Sequence, residues 1–167
     1  EVIDSNEKKQ LEEWTNKRCG EVLFDSTKDN WSQNTSVFDS KVMNKSNLMF
    51  VIEDTKNNKF GGYITSTINQ CNNSTWITDQ NSFVFSLKSN GRINGMMKFE
   101  IKDKSYGYLR CSDMNHPILS YPGFEIEIGR KSRQDETITR HYDLCTNYHG
   151  YKNPLTGRTG KFELERF

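Results

Sequence analysis

Long apolar runs are missing from this chain. The longest, Leu48-Met49-Phe50-Val51-Ile52, has five residues, where a membrane-spanning helix needs about 18 or more. No signal-peptide pattern is visible. Proline is scarce, with three residues in 167, and no Pro/Gly linker or internal repeat divides the chain. That length suits one domain with its own core. We expect a helix at 1–18 and a single folded domain at 19–167.

An excess of one charge is missing too. The formal net charge is +1, which excludes the general polyanion attraction of a strongly basic domain. The C-terminal half does lean basic, through Lys104, Arg110, Arg130, Lys131, Arg133 and Arg140. Arg130, Lys131, Arg133 and Arg140 form a candidate basic surface. With Tyr106, Tyr108 and Tyr121 as stacking groups it would be a nucleic-acid alternative; solvated edges and loops are the simpler reading.

Cysteine is sparse and scattered, at 19, 71, 111 and 145. The absence of C-x-x-C excludes a zinc ribbon or a thioredoxin-type motif. Reduced thiols in an intracellular, cytoplasmic protein are the default, and two disulfides in a secreted one are the alternative. The N-x-S/T triplets at Asn30, Asn34, Asn44, Asn72 and Asn73 arise readily by chance in a chain this rich in Asn, Ser and Thr.

Catalytic signatures are also lacking. There is no G-x-S-x-G, H-E-x-x-H, P-loop or dinucleotide fingerprint, so no cofactor is expected. His141, Cys145 and His149 stand four apart, the spacing of zinc ligands on one helix face. Their surroundings do not read as a helix, and no fourth ligand is evident, so loop residues are the preferred reading. Cys145 has no local activating group for nucleophilic work. Glu125 and Glu127 share one face of a strand, which we read as solvated.

What is present is aromatic and β-forming. Aromatics make up 12%, including ten Phe and seven Tyr, against an apolar total of only 33%. Rings and β-branched residues favour sheets. Leu48–Ile52 reads as a strand buried on both faces or covered by a helix on one. With Phe60–Ile68 it forms the best hairpin, across a turn at 54–59. Gly61-Gly62 inside a strand implies a bulge or a close backbone approach. Residues 83–87, 97–101 and 124–128 also read as strands; 22–24, 106–111, 117–121 and 162–167 are weaker candidates. Before them, 4–18 reads as a helix, capped at Asp4 or Ser5 with Glu7 following, faced by Leu11 and Trp14, and stopped at Gly20. The fold class is mostly β with flanking helices: a sandwich of two antiparallel sheets, an N-terminal helix and one or two short helices.

The stretch Leu23-Phe24-Asp25-Ser26-Thr27-Lys28-Asp29-Asn30-Trp31-Ser32-Gln33-Asn34-Thr35 is polar but holds an indole. Asp25, Thr27 and Asp29 alternate as in a calcium loop. Asn30 stands where the loop needs Gly, however, and Ser36 where it needs a bidentate Glu. A structural reading fits better. Asp25, Ser26, Asp29 and Asn30 accept backbone N–H bonds in turns. Asn34 or Thr35 caps a short helix running to about Val42, and Trp31 anchors the connection to the core.

The set L-F-D-S (23–26), D-N-W-S-Q-N-T (29–35), E-D (53–54), F-G-G-Y (60–63) and F-V-F-S-L (83–87), in that order, resembles the TLDc domain of the oxidation-resistance proteins. The likeness runs from about Cys19 to the C-terminus. The motif residues are Asp25, Ser26, Asp29, Asn30, Trp31, Ser32, Asn34, Thr35, Gly61 and Gly62. Asn81-Ser82 replaces a family Glu, and Ser120–Phe124 stands where the family has a Gly-rich patch. The resemblance implies a sandwich of two antiparallel sheets, a link to protection against oxidative stress, and binding to the vacuolar-type proton-pumping ATPase (V-ATPase). No accepted catalytic centre is known for the family. We therefore expect a non-enzymatic, monomeric protein-interaction module. The alternatives are a thiol- or His-based redox or hydrolytic enzyme, and a nucleic-acid-binding domain using the basic C-terminal half.

Overall fold

A computed structural model describes residues 2–32, 37–69, 76–101, 108–111, 119–121, 126–131, 137–139, 153–157 and 160–167. The first element is α1, Ser5–Thr15. Asp4 caps it by accepting from the Asn6 and Glu7 backbone, and Glu7 reaches back to the Asp4 N–H at 2.8 Å. That reciprocal capping box satisfies donors the first turn would otherwise leave unpaired. The helix ends at Asn16, held in the left-handed region at φ 53°, rather than at Gly20. Asn tolerates that conformation and closes the helix four residues early.

The strands are β1 (Leu48–Asp54), β2 (Lys59–Ile64), β3 (Trp76–Thr78), β4 (Phe83–Lys88), β5 (Met97–Glu100), β6 (Tyr108–Cys111), β7 (Leu119–Tyr121), β8 (Ile126–Ile128), β9 (Ile138–Thr139), β10 (Gly160–Lys161) and β11 (Leu164–Arg166). They form a five-stranded sheet ordered β11-β1-β2-β4-β5 and a six-stranded sheet ordered β10-β9-β8-β7-β6-β3. Every pairing is antiparallel. The expected hairpin is β1–β2, in register from Leu48 opposite Ile64 to Glu53 opposite Lys59. Its turn is organised by buried Asp54, which accepts from the Lys56 and Asn58 backbone and from the Asn58 amide. Residues 22–24 form no strand. Val22 is 80% exposed, so only Phe24 of that trio turns toward the core.

Side chains alternate across the five-stranded sheet as the pleat requires. Phe50, Ile52, Phe60, Ile64, Val84 and Phe99 face inward and join Ile126 and Ile128 of the opposite sheet in one core. Tyr63, Phe83, Phe85 and Leu87 face outward, where Leu11 and Trp14 of α1 cover them. A face left in water would not favour such a run of rings; burying each is worth about 1.5–3 kcal/mol. The helix is held there by Lys59, whose ammonium meets Glu7 at 2.8 and 3.0 Å. Glu127 on β8 is buried, not solvated as its alternation suggested.

The glycine pair in β2 marks a close approach. A Cβ on Gly61 would lie 1.8 Å from the Phe50 carbonyl oxygen and 2.9 Å from the Phe85 ring. The ladder irregularity sits one step earlier, between Lys59 and Phe60. Gly61→Ala therefore forces backbone movement, and it should cost about 2–3 kcal/mol and lower Tm by about 5–10 °C. Gly20, with nothing within 4 Å of its Cβ position, is the control, and Gly20→Ala should leave Tm unchanged. An unchanged Tm for Gly61→Ala would contradict the packing described.

Candidate functional site

Residues 25–32 fold into hydrogen-bonded turns built from their own side chains. The Asp25 carboxylate accepts from the Thr27 N–H at 3.1 Å and its hydroxyl at 2.7 Å. Asp29 returns the favour by accepting the Asp25 N–H at 2.9 Å. Asn30 accepts the Ser32 N–H at 3.1 Å. These are the local bonds that short polar side chains offer to backbone in turns.

The dominant contact comes from the other end of the chain. Arg166 grips Asp25 with two parallel bonds, Nε to Oδ1 at 3.1 Å and Nη2 to Oδ2 at 2.6 Å. Beside it, the Ser26 N–H donates to the Phe167 carbonyl at 2.8 Å, and the Phe167 N–H donates to the Ser26 hydroxyl at 3.0 Å. Asp25 is 7% exposed. The Arg166 bonds hold its carboxyl well below the usual carboxylate range, against the opposing pull of burial. The Lys41 ammonium at 2.7 Å lowers Asp29 in the same direction.

Trp31 belongs to the core, as expected. Its ring meets Phe167 edge to face at 5.5 Å, and Phe24 stands 5.1 Å from Phe167 and 5.2 Å from Phe38. Phe38 and Val42 are both buried, on the short helix α2, Val37–Val42. The Trp31 carbonyl accepts from the Lys131 N–H at 3.1 Å. The proposed caps Asn34 and Thr35 lie outside the described residues.

Arg130 is not part of a basic surface. It is fully buried, with its guanidinium 3.8 Å from the Asp39 carboxylate of α2. A guanidinium that the sequence shows only as a charge is here an internal counter-ion, because the segment just after β8 places it beside Asp39 of α2. Lys131 is exposed; Arg133 and Arg140 lie outside the described residues. His141, Cys145 and His149 also lie outside them. Among the described residues no group of three or more His, Cys, Asp or Glu could hold a metal ion. No helix among them is long and apolar enough to cross a membrane.

Cys19 carries a free thiol. Burial, then the Glu12 carboxylate, push it up, so it holds less of the reactive thiolate than an ordinary thiol. Cys71 and Cys145 lie outside the described residues, and Cys111 is in β6. An open cleft of about 250 Å³ lies beside the end of α1, walled by Trp14, Tyr63 and Phe83. Across it Lys98 pairs with Glu100 at 2.8 Å and sits 5.2 Å over the Phe83 ring. The sequence did not single out that cleft, nor Arg166, Lys41 and Asp39. Asp25 and Arg166 stand 141 positions apart, a separation that no local motif spans.

The lowered carboxylates make stability depend on pH in a definite sense. Asp25 and Asp29 titrate lower folded than unfolded, where an Asp sits near about 3.9. Their contribution is full above that value and is lost as pH falls through the folded values. We expect Tm to drop below about pH 4, and Asp25→Asn to flatten that acid limb relative to the wild type. An acid limb of unchanged steepness in the variant would show that the pair does not govern it.

A search of curated proteins returns no match to the chain. The family model described as the TLDc domain matches residues 1–167. It takes in α1 along with both sheets, and the motif stretch whose turns and clasp are described above. On that match over its whole length, the chain belongs to the TLDc domain family.

Proposed function

We propose that this chain is a non-catalytic protein-interaction module of the oxidation-resistance type, acting in the oxidative-stress response through V-ATPase. The observation that carries the reading is the family match over residues 1–167. The chemistry of the motif stretch supports it. Asp25 and Asp29 are engaged by Arg166 and Lys41, and Ser26 by the Phe167 backbone. Carboxylates held ionised by close cations are poor proton donors, and both oxygens of Asp25 and of Asp29 already accept from internal donors. That arrangement builds a scaffold, and binding then falls to surfaces around it. An intracellular, cytoplasmic location and a monomeric state go with this reading.

The test is affinity capture of the protein from its own cells, with mass spectrometry of the recovered proteins. V-ATPase subunits should be enriched over a control bait, and added purified protein should change the fraction of assembled pump. Neither enrichment nor an effect on assembly would remove the V-ATPase from the account.

A further inference from the structure

The connection between β4 and β5 holds two Asn-Gly pairs, Asn90-Gly91 and Asn94-Gly95, the only two in the chain. Asn-Gly is the sequence most open to attack by the following backbone nitrogen on the asparagine side chain, since glycine offers that nitrogen no side-chain hindrance. All four residues are exposed, so exposure does not distinguish the pairs. Their hydrogen bonds do.

Asn90 is locked. Its amide nitrogen donates to the Lys56 carbonyl at 3.0 Å and to Asn58 Oδ1 at 2.9 Å. Asn90 and Gly91 both take positive φ, 53° and 87°, as in a tight hairpin turn. The same turn is tied across its base. The Ile93 N–H donates to the Ser89 hydroxyl at 2.9 Å, and the Arg92 N–H to the Ser89 carbonyl at 3.3 Å. Arg92 is itself pinned to Asn58 at 2.7 Å and to the Leu155 carbonyl at 2.8 Å.

Asn94 and Gly95 lie just past that bracing. Among the described residues neither the Asn94 side chain nor the Gly95 N–H makes a hydrogen bond. Nothing lies within 4 Å of the Cβ position of Gly95. The side-chain amide is therefore free to swing onto the Gly95 nitrogen.

We propose that Asn94-Gly95 is a site of spontaneous deamidation and isoaspartate formation, and that Asn90-Gly91 is protected from it by the fold. The Gly95 nitrogen, losing its proton to solvent base, bonds to Asn94 Cγ; the Cγ–Nδ2 bond breaks and ammonia leaves, closing a succinimide. Water then opens the ring. Cleavage of the new Cγ–N bond leaves an ordinary aspartate at position 94. Cleavage of the original carbonyl–N bond leaves isoaspartate, with the main chain routed through Cγ. One water is consumed and one ammonia released, with no change of oxidation state.

Either product adds one negative charge and takes the formal net charge from +1 to zero. Isoaspartate also inserts a methylene into the backbone ahead of β5, Met97–Glu100, the strand that brings buried Phe99 to the core. The modification thus writes the age of a molecule into the edge of the five-stranded sheet.

The test is incubation of the intact, purified chain at mildly alkaline pH, with peptide mass spectrometry that separates aspartate from isoaspartate. Conversion at position 94 should exceed that at position 90 by about tenfold or more, the factor corresponding to about 1.4 kcal/mol of local opening. In denaturant the two rates should converge, because only the fold distinguishes the pairs. Asn94→Gln should abolish conversion at 94 and leave the slow conversion at 90 unchanged. Equal rates in the native chain, faster conversion at Asn90, or a difference that survives denaturation would each overturn the proposal.

Discussion

The fork between Asp25 and Arg166 is the contact on which the motif region depends. It joins a turn near the start of the chain to its penultimate residue with two short, charge-assisted bonds. Once Arg166 is seated, Phe167 is placed, and its backbone closes onto Ser26 in both directions. Its ring then meets Trp31, Phe24 and Phe38. Desolvating two charges costs much of what their attraction returns. The fork is therefore chiefly a device of placement: it selects one docking of β11 along β1, where Glu53 stands opposite Arg166.

The rest of the architecture follows from a sheet that needs cover on both faces. The six-stranded sheet supplies one cover and α1 the other. The central strands β2 and β4 are consequently buried almost throughout, and Gly61 gives Phe85 and the Phe50 carbonyl the space that any side chain would take. Buried ions recur at the joints: Glu7 with Lys59 fastens α1, and Asp39 of α2 meets Arg130 of the segment that follows β8. Each pair bridges elements remote in sequence, where a misplaced charge would be left without compensation.

Much of this was legible in the sequence where a local rule operates. The capping box at Asp4 and Glu7, the hairpin from Leu48 to Ile64 and the glycine in β2 each depend on residues close in the chain. The short strands β3 and β9 escaped because two or three residues carry no period; their partners, not their composition, make them strands. Val22-Leu23-Phe24 misled for the opposite reason, since it has strand composition without a strand to pair with. Arg130 and Glu127 read as surface charges, and only tertiary contacts bury them. The local roles of Asp25, Asp29 and Asn30 were visible as Asx chemistry, but Ser26 accepts from distant Phe167 rather than within its own turn, and the residue that grips Asp25 was not visible.

The stretch around Asp25 is clasped to β11 by Arg166 and Phe167, and that clasp has a direct measure. A double-mutant cycle with Asp25→Asn and Arg166→Gln, followed by denaturant unfolding, isolates the coupling between the two side chains. The structure predicts a favourable coupling of about 1–3 kcal/mol, with each single variant destabilised and the double variant little worse than either. Additive losses with no coupling would contradict the clasp and return Asp25 to the residues available for binding.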